Sequence, residues 1–136
     1  MASASGRSES RRLVRCSSAG TPSAIHSAVA AATLRELLAL CHRAALLISN
    51  DGGPGHFAAL TPVPILSFFG PETPTLYGPL SPHAVSLFRR LPCAPCLSAY
   101  NHRRTPCDGD NQCLKQLSVA EALAAARRLL AVSALQ

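Results

Sequence analysis

The segment from Ala45 to Ala59 constrains the chain more than any other. A short apolar run, Ala45 to Ile48, gives way to Ser49-Asn50-Asp51, then to Gly52-Gly53-Pro54-Gly55, then to His56 on an alanine-containing stretch. Apolar residues bounded by glycine and proline read as a strand, and proline suits the first position of a helix. The pattern predicts a strand from Leu46 to Ser49, a glycine turn, and a compact helix from near Pro54 to about Leu60. Glycines let a backbone turn sharply and let a ligand approach closely. The N–H groups of a first helical turn attract an anion, usually a phosphate. Asp51 and His56 at the same spot can bind sugar hydroxyls or move protons. Local chemistry leaves another role open for Asp51, that of helix N-cap.

The rest of the chain extends this unit. Leu34, Leu37, Leu38, Leu40 and Cys41 share one helical face. Thr33 with Glu36 makes a capping box for that helix, with Ser27 as the other candidate cap. Val63 to Phe69 reads as a buried strand, Gly70 to Pro74 as the loop after it, and His83 to Phe88 as a third short strand. Arg89 to Gln112 is loop-like. Ser118 with Glu121 repeats the capping box before a closing helix from Val119 to Leu130. This order predicts an α/β fold, a partial Rossmann-like parallel sheet of about three strands. Ligands of such sheets sit at the carboxyl ends of strands. The Asp51 turn and the Gly70-Pro71-Glu72 loop should therefore meet at one edge. The loop serves equally well as a nucleotide-flanking segment or as a plain connection, and Phe68 and Phe69 read as packing groups.

Composition narrows the partners. The 136 residues suffice for one domain of modest core. Thirteen basic residues against seven acidic ones give a net charge of +6, but the arginines sit in scattered pairs, Arg11-Arg12, Arg89-Arg90, Arg103-Arg104 and Arg127-Arg128. With two Tyr, four Phe and no Trp there is no stacking platform, which argues against specific nucleic-acid binding. No apolar run approaches the roughly 18 residues of a membrane span. Residues 1–24 are rich in Ser, Ala and Arg, a composition that overlaps with organelle transit peptides and lacks the apolar core of a secretory signal. They are read as a disordered or non-native start, with the domain proper at 25–136.

Four cysteines, Cys93-x-x-Cys96 with Cys107 and Cys113 following, have zinc-like character. The first pair has ligand spacing, the second pair is looser, and His102 lies between as a substitute ligand. Free thiols and disulfides are the alternatives. A metal here would be structural, because no acid or His signature of a catalytic site accompanies it. Cys41 is expected to be buried on its helix and Cys16 to be unrelated. His26, His42 and His83 have no partner signature.

Ser49-Asn50-Asp51-Gly52-Gly53-Pro54-Gly55-His56-Phe57-Ala58-Ala59, then Pro62-Val63-Pro64-Ile65, then Phe69-Gly70-Pro71, resemble the C-terminal domain of glycosyltransferase family 9, the heptosyltransferases of lipopolysaccharide core assembly. The cysteines and the closing helix fit the same pattern, so the resemblance runs from about Thr33 to Leu130. Gly52 stands where that family usually has Ser or Thr, and Glu72 where Thr is common. The resemblance implies the donor-binding half of a GT-B enzyme that transfers a sugar from a nucleotide-sugar donor resembling ADP-heptose to a lipid A–core acceptor at a membrane surface. It implies a cytoplasmic place, at the periphery of the inner membrane, and no required cofactor; a structural zinc on Cys93, Cys96, Cys107 and Cys113 is the option that the cysteine spacing adds. Asp51, Gly52, Gly53, Gly55 and His56 would bind the donor, and Gly70, Pro71 and Glu72 would form a nucleotide loop. No catalytic residue is assigned, since the family's base lies in an N-terminal domain with no counterpart in the sequence. On that reading the chain is a fragment or truncated gene product, inactive alone. The rival reading is a small, basic, Cys-rich binding module with a structural zinc and no catalysis.

Overall fold

The computed structural model describes residues 33–98, 104–105 and 107–133. Expectations for residues 1–24, Ser27, His26, Cys16 and His102 lie outside the described residues. The element order is α1 (Leu34–Arg43), β1 (Leu47–Asn50), α2 (Gly53–Ala58), β2 (Ile65–Phe69), α3 (Pro74–Tyr77), β3 (Ala84–Phe88), α4 (Gln112–Lys115) and α5 (Val119–Ser133). The three strands form one parallel sheet in the order β1-β2-β3. Leu47 stands beside Ile65, and Ile65 beside Ala84. This is the α/β fold with parallel strands and flanking helices that the sequence predicts.

Boundaries move for local reasons. β1 sits one residue later than expected. β2 starts at Ile65 rather than Val63, because Pro62 and Pro64 carry no N–H for a ladder; the Pro64 carbonyl still accepts from the Leu47 N–H at 2.9 Å. α2 stops at Ala58, where the Thr61 hydroxyl donates to the Ala58 carbonyl at 2.7 Å and Pro62 follows. Two short helices, α3 and α4, are additional to the expected elements, each beginning at the last residue of an expected loop. In α3, Thr73 is the N-cap and accepts from the Thr75 N–H at 3.3 Å, with Pro74 in the first turn. α4 lies at the end of the loop-like stretch. α5 opens on the expected capping box: the Ser118 N–H donates to the Glu121 carboxylate at 2.9 Å, and the Ser118 hydroxyl accepts from the Glu121 N–H at 3.2 Å.

The sheet buries both faces of its central strand. Side chains alternate across a strand, so Ile65 and Leu66 enter different cores. Ile65 packs with Cys41 of α1, Ala58 of α2 and Val63. Leu66 packs with Ala125 and Ala126 of α5. Both are fully buried, and burying each stabilises the fold by about 1.5–3 kcal/mol. β1 is an edge strand on which Leu47 is half-buried and Ile48 exposed. Ser49, Ser67 and Ser86 stand in register across the three strands, and Ser67 and Ser86 share a hydrogen bond at 2.9 Å. Among the described residues, no helix is long and apolar enough to cross a membrane.

Candidate functional site

The parallel sheet sends the chain out of β1 and out of β2 at the same edge. Both exits contribute to one open cleft of about 360 Å³. Asp51, Gly52, Gly53 and His56 come from the turn into α2, and Pro71 and Glu72 from the loop after β2. The Asp51 N–H donates to the Phe68 carbonyl at 2.9 Å, which ties the first turn to the second strand. The expected meeting of the two loops is therefore present.

The remaining residues of the sequence pattern act from behind. Gly55 is buried. A Cβ there would lie 3.3 Å from the Ser49 hydroxyl oxygen and 3.5 Å from Pro79, so glycine lets α2 sit close on β1. The Ser49 hydroxyl is buried without a hydrogen-bond partner among the described residues. Gly70 is buried against Leu114 of α4 and does not line the cleft. Gly52 holds the N-cap position of α2, and no side chain caps that helix. The cap role considered for Asp51 is therefore not the observed one. Asp51 is half-buried at the cleft rim, His56 is exposed, and Glu72 is buried although it lines the cleft. Phe68 and Phe69 face the cores, as expected of packing groups: Phe68 packs on the α5 side, and Phe69 is buried.

Two lining residues escape the sequence reading, Tyr77 of α3 and Leu97. The Thr73-Pro74 pair, an N-cap followed by an N1 proline, is the signal that would have placed Tyr77 on a short helix. Leu97 has no such signal. It reaches the cleft because the Cys96 and Leu97 N–H groups both donate to the Pro71 carbonyl, at 2.8 and 2.9 Å.

The four cysteines lie next door. Cys93, Cys96, Cys107 and Cys113 line a second cavity of about 450 Å³, and Pro71 lines both cavities. All four are free thiols. Burial pushes the Cys113 thiol up, hydrogen bonds from the backbone around it oppose that, and Cys96 and Cys93 are close enough to add to the rise. Among the described residues, no group of three or more His, Cys, Asp or Glu side chains is placed to hold a metal ion, so the four cysteines do not form the expected zinc ligand set. Cys41 is buried in α1 and stands apart from this group.

Comparison with known proteins bears on what such a cleft serves. The sequence profile of glycosyltransferase family 9 (heptosyltransferase) matches residues 4–105. The chain belongs to glycosyltransferase family 9. It is 46% identical over 50 residues to lipopolysaccharide heptosyltransferase 1 of Pseudomonas aeruginosa, a stretch that is 37% of this chain and 14% of that protein. It is 31% identical to the crystal structure of a family 9 glycosyl transferase from Veillonella parvula, with a TM-score of 0.54 over 73% of this chain. That match covers 28% of the Veillonella chain, so the sequence spans well under a third of either relative. The family match begins well before Thr33, where the resemblance of the motifs starts.

Proposed function

We propose that this chain supplies the donor side of a sugar-transfer site, binding a nucleotide-sugar of the ADP-heptose kind whose diphosphate leaves as the sugar moves. The observation that carries the reading is the cleft at the carboxyl ends of β1 and β2, in a member of a glycosyltransferase family. In that transfer an acceptor hydroxyl attacks the anomeric carbon. The bond from that carbon to the diphosphate oxygen breaks, and the diphosphate keeps the electron pair. The acceptor's proton goes to a base that this reading places in another part of such an enzyme.

Charge assigns the lining groups. A carboxylate about 4 Å from a phosphate charge costs about 4 kcal/mol at an effective dielectric of 20. Asp51 and Glu72 therefore face hydroxyls of the sugar or ribose and accept hydrogen bonds from them. The diphosphate goes to the His56 ring and the Gly52–Gly53 backbone, where it meets hydrogen-bond donors. Tyr77 offers an aromatic face to the base or the sugar. The acceptor, a lipid A–core saccharide at the inner membrane, and a cytoplasmic setting belong to this same reading.

Titration calorimetry of the purified chain with ADP tests it. The chain should bind ADP, and His56→Ala should weaken binding roughly tenfold to a hundredfold, the loss of one charge-assisted hydrogen bond of about 1.5–3 kcal/mol. His56 is exposed, so its far-UV spectrum and melting temperature should not change. No ADP binding, or equal binding by His56→Ala, would overturn the donor reading.

A further inference from the structure

The outer side of β1 is open. The sheet order is β1-β2-β3, and among the described residues no strand lies beyond β1. The Leu47 N–H donates to the Pro64 carbonyl and the Asp51 N–H to the Phe68 carbonyl, each at 2.9 Å. Backbone groups alternate in direction along a strand, so the N–H and carbonyl of Ile48 and the carbonyls of Leu46 and Asn50 point away from β2. Edge strands are commonly guarded against pairing by charge or proline. Leu47-Ile48-Ser49-Asn50 carries neither.

The side chains beside this edge are apolar and uncovered. Ile48 stands in register with Leu66, which packs on α5, so Ile48 lies on the α5 face of the sheet, where it is 54% exposed. α5 turns an apolar flank toward it. Glu121 pairs with Arg89 at 2.7 Å, and Arg89 directly follows β3, so the Glu121 flank looks to the β3 side. At about 3.6 residues per turn, Leu123 and Leu130 lie roughly 160–180° round the helix from Glu121, on the β1 side. Both are exposed. Leu46, just before β1, packs into the core beneath α5, which sets that flank beside the open edge.

We propose that a second copy of this chain pairs with β1, antiparallel, about a two-fold axis at Ile48, so that the two sheets become one. The register suits self-pairing. Residues that face each other across an antiparallel gap exchange both hydrogen bonds, so Ile48 meets Ile48 and Asn50 meets Leu46. The axis stands perpendicular to the sheet. The two α5 faces therefore run on into each other, and the two Ile48 side chains meet between the Leu123 and Leu130 flanks of both copies. Charge agrees with this direction. Arg43 precedes β1 and Asp51 follows it, so antiparallel pairing sets the acidic end of one strand beside the basic end of the other. β3, the other edge, is followed by Arg89 and Arg90 and has no acid at either end, so it repels its own copy. The rungs on β1 are few and the interface is small, so the dimer is weak, with a dissociation constant on the order of 10–100 µM. In dilute solution the chain is a monomer. The pairing rests on the open edge and not on the donor reading.

The test is sedimentation equilibrium of the full chain from about 5 to 500 µM, with amide exchange followed at both ends of that range. The mass should rise from monomer to dimer and stop there. The Ile48 and Asn50 amides should exchange fast in dilute solution and slow as the dimer fills. Ile48→Lys, at an exposed position that keeps the fold, should weaken the dimer roughly a hundredfold, because both Ile48 contacts are lost and like charges come face to face. Leu123→Lys should weaken it roughly tenfold. Ala124→Lys, at an exposed position one residue further round toward solvent, should leave it unchanged. A monomer over the whole range, a dimer that Ile48→Lys leaves intact, or growth beyond the dimer would each overturn the proposal. So would Ile48 and Asn50 amides already protected in dilute solution, which would show the edge covered by another segment of the same chain.

Discussion

Gly70→Ala should destabilise the chain through one contact that can be named. A Cβ at Gly70 would fall 2.7, 3.0 and 3.2 Å from Cγ, Cδ2 and Cδ1 of Leu114. Carbon atoms in good contact stand about 3.5–4.0 Å apart, so Leu114 must retreat by up to about 1 Å. Overpacking of this kind costs about 1–3 kcal/mol. Replacing glycine by alanine also restricts the unfolded chain, which returns about 0.4–1 kcal/mol. Leu114 is partly exposed on a four-residue helix and can yield. The net loss should be about 1–2 kcal/mol, read as a lower urea midpoint at unchanged slope. The decisive comparison is with Leu114→Ala. If the clash is the cause, the double variant should be more stable than the sum of the two single losses implies, by about 1–2 kcal/mol. Independent sites add to within about 0.3–0.5 kcal/mol. Additive losses would refute the contact, and with it the seating of α4 on the end of β2.

Two further outcomes follow from the sheet and from α5. Ile65→Ala, on the fully buried central strand, should cost about 2–5 kcal/mol in urea unfolding, whereas Ile48→Ala on the exposed side of β1 should stay under about 1 kcal/mol; equal losses would contradict the layer assignment. Hydrogen bonds from the Ser118 N–H, then from the Ser118 hydroxyl, then from Arg89 hold the Glu121 carboxyl down at about 2 against the usual 4.5. A carboxyl lowered by folding adds stability that is complete above its unfolded value and disappears as pH falls toward the folded value. Melting temperatures of the parent and Glu121→Gln should therefore differ at pH 6 and converge between about pH 4.5 and 2; a constant gap across that window would count against the network.

The elements that were legible in the sequence are those with a sharp chemical edge. β1, β2 and β3 are each bracketed by glycine, proline or charge, and were placed to within two residues. The α5 capping box was legible because serine and glutamate three apart answer each other's N–H groups. α4 was not, since four residues contain barely one helical turn and show no apolar period; α3 is equally short, and the Thr73-Pro74 cap is its one sign. The edge position of β1 was also hidden. Leu46, Leu47 and Ile48 look alike in sequence, and only pairing decides that Ile48 turns outward. In the site, the residues of the two glycine-proline loops were legible as a group. Which of them face the cleft was not: Gly55 and Gly70 share the composition of Gly52 and Gly53 yet serve close packing, a distinction set by Ser49, Pro79 and Leu114.

Pro71 joins the two halves of the molecule's chemistry. It lines the donor cleft and the cysteine cavity, and its carbonyl takes both N–H groups that bring Leu97 to the cleft wall. Each such hydrogen bond stabilises by about 0.5–1.5 kcal/mol net. The pair therefore contributes about 1–3 kcal/mol, less than the cost of ordering even a few residues of the segment that carries Leu97. A second tie holds the far end of the segment: Cys113 is buried on α4, and its neighbour Leu114 packs against Gly70 just beyond β2.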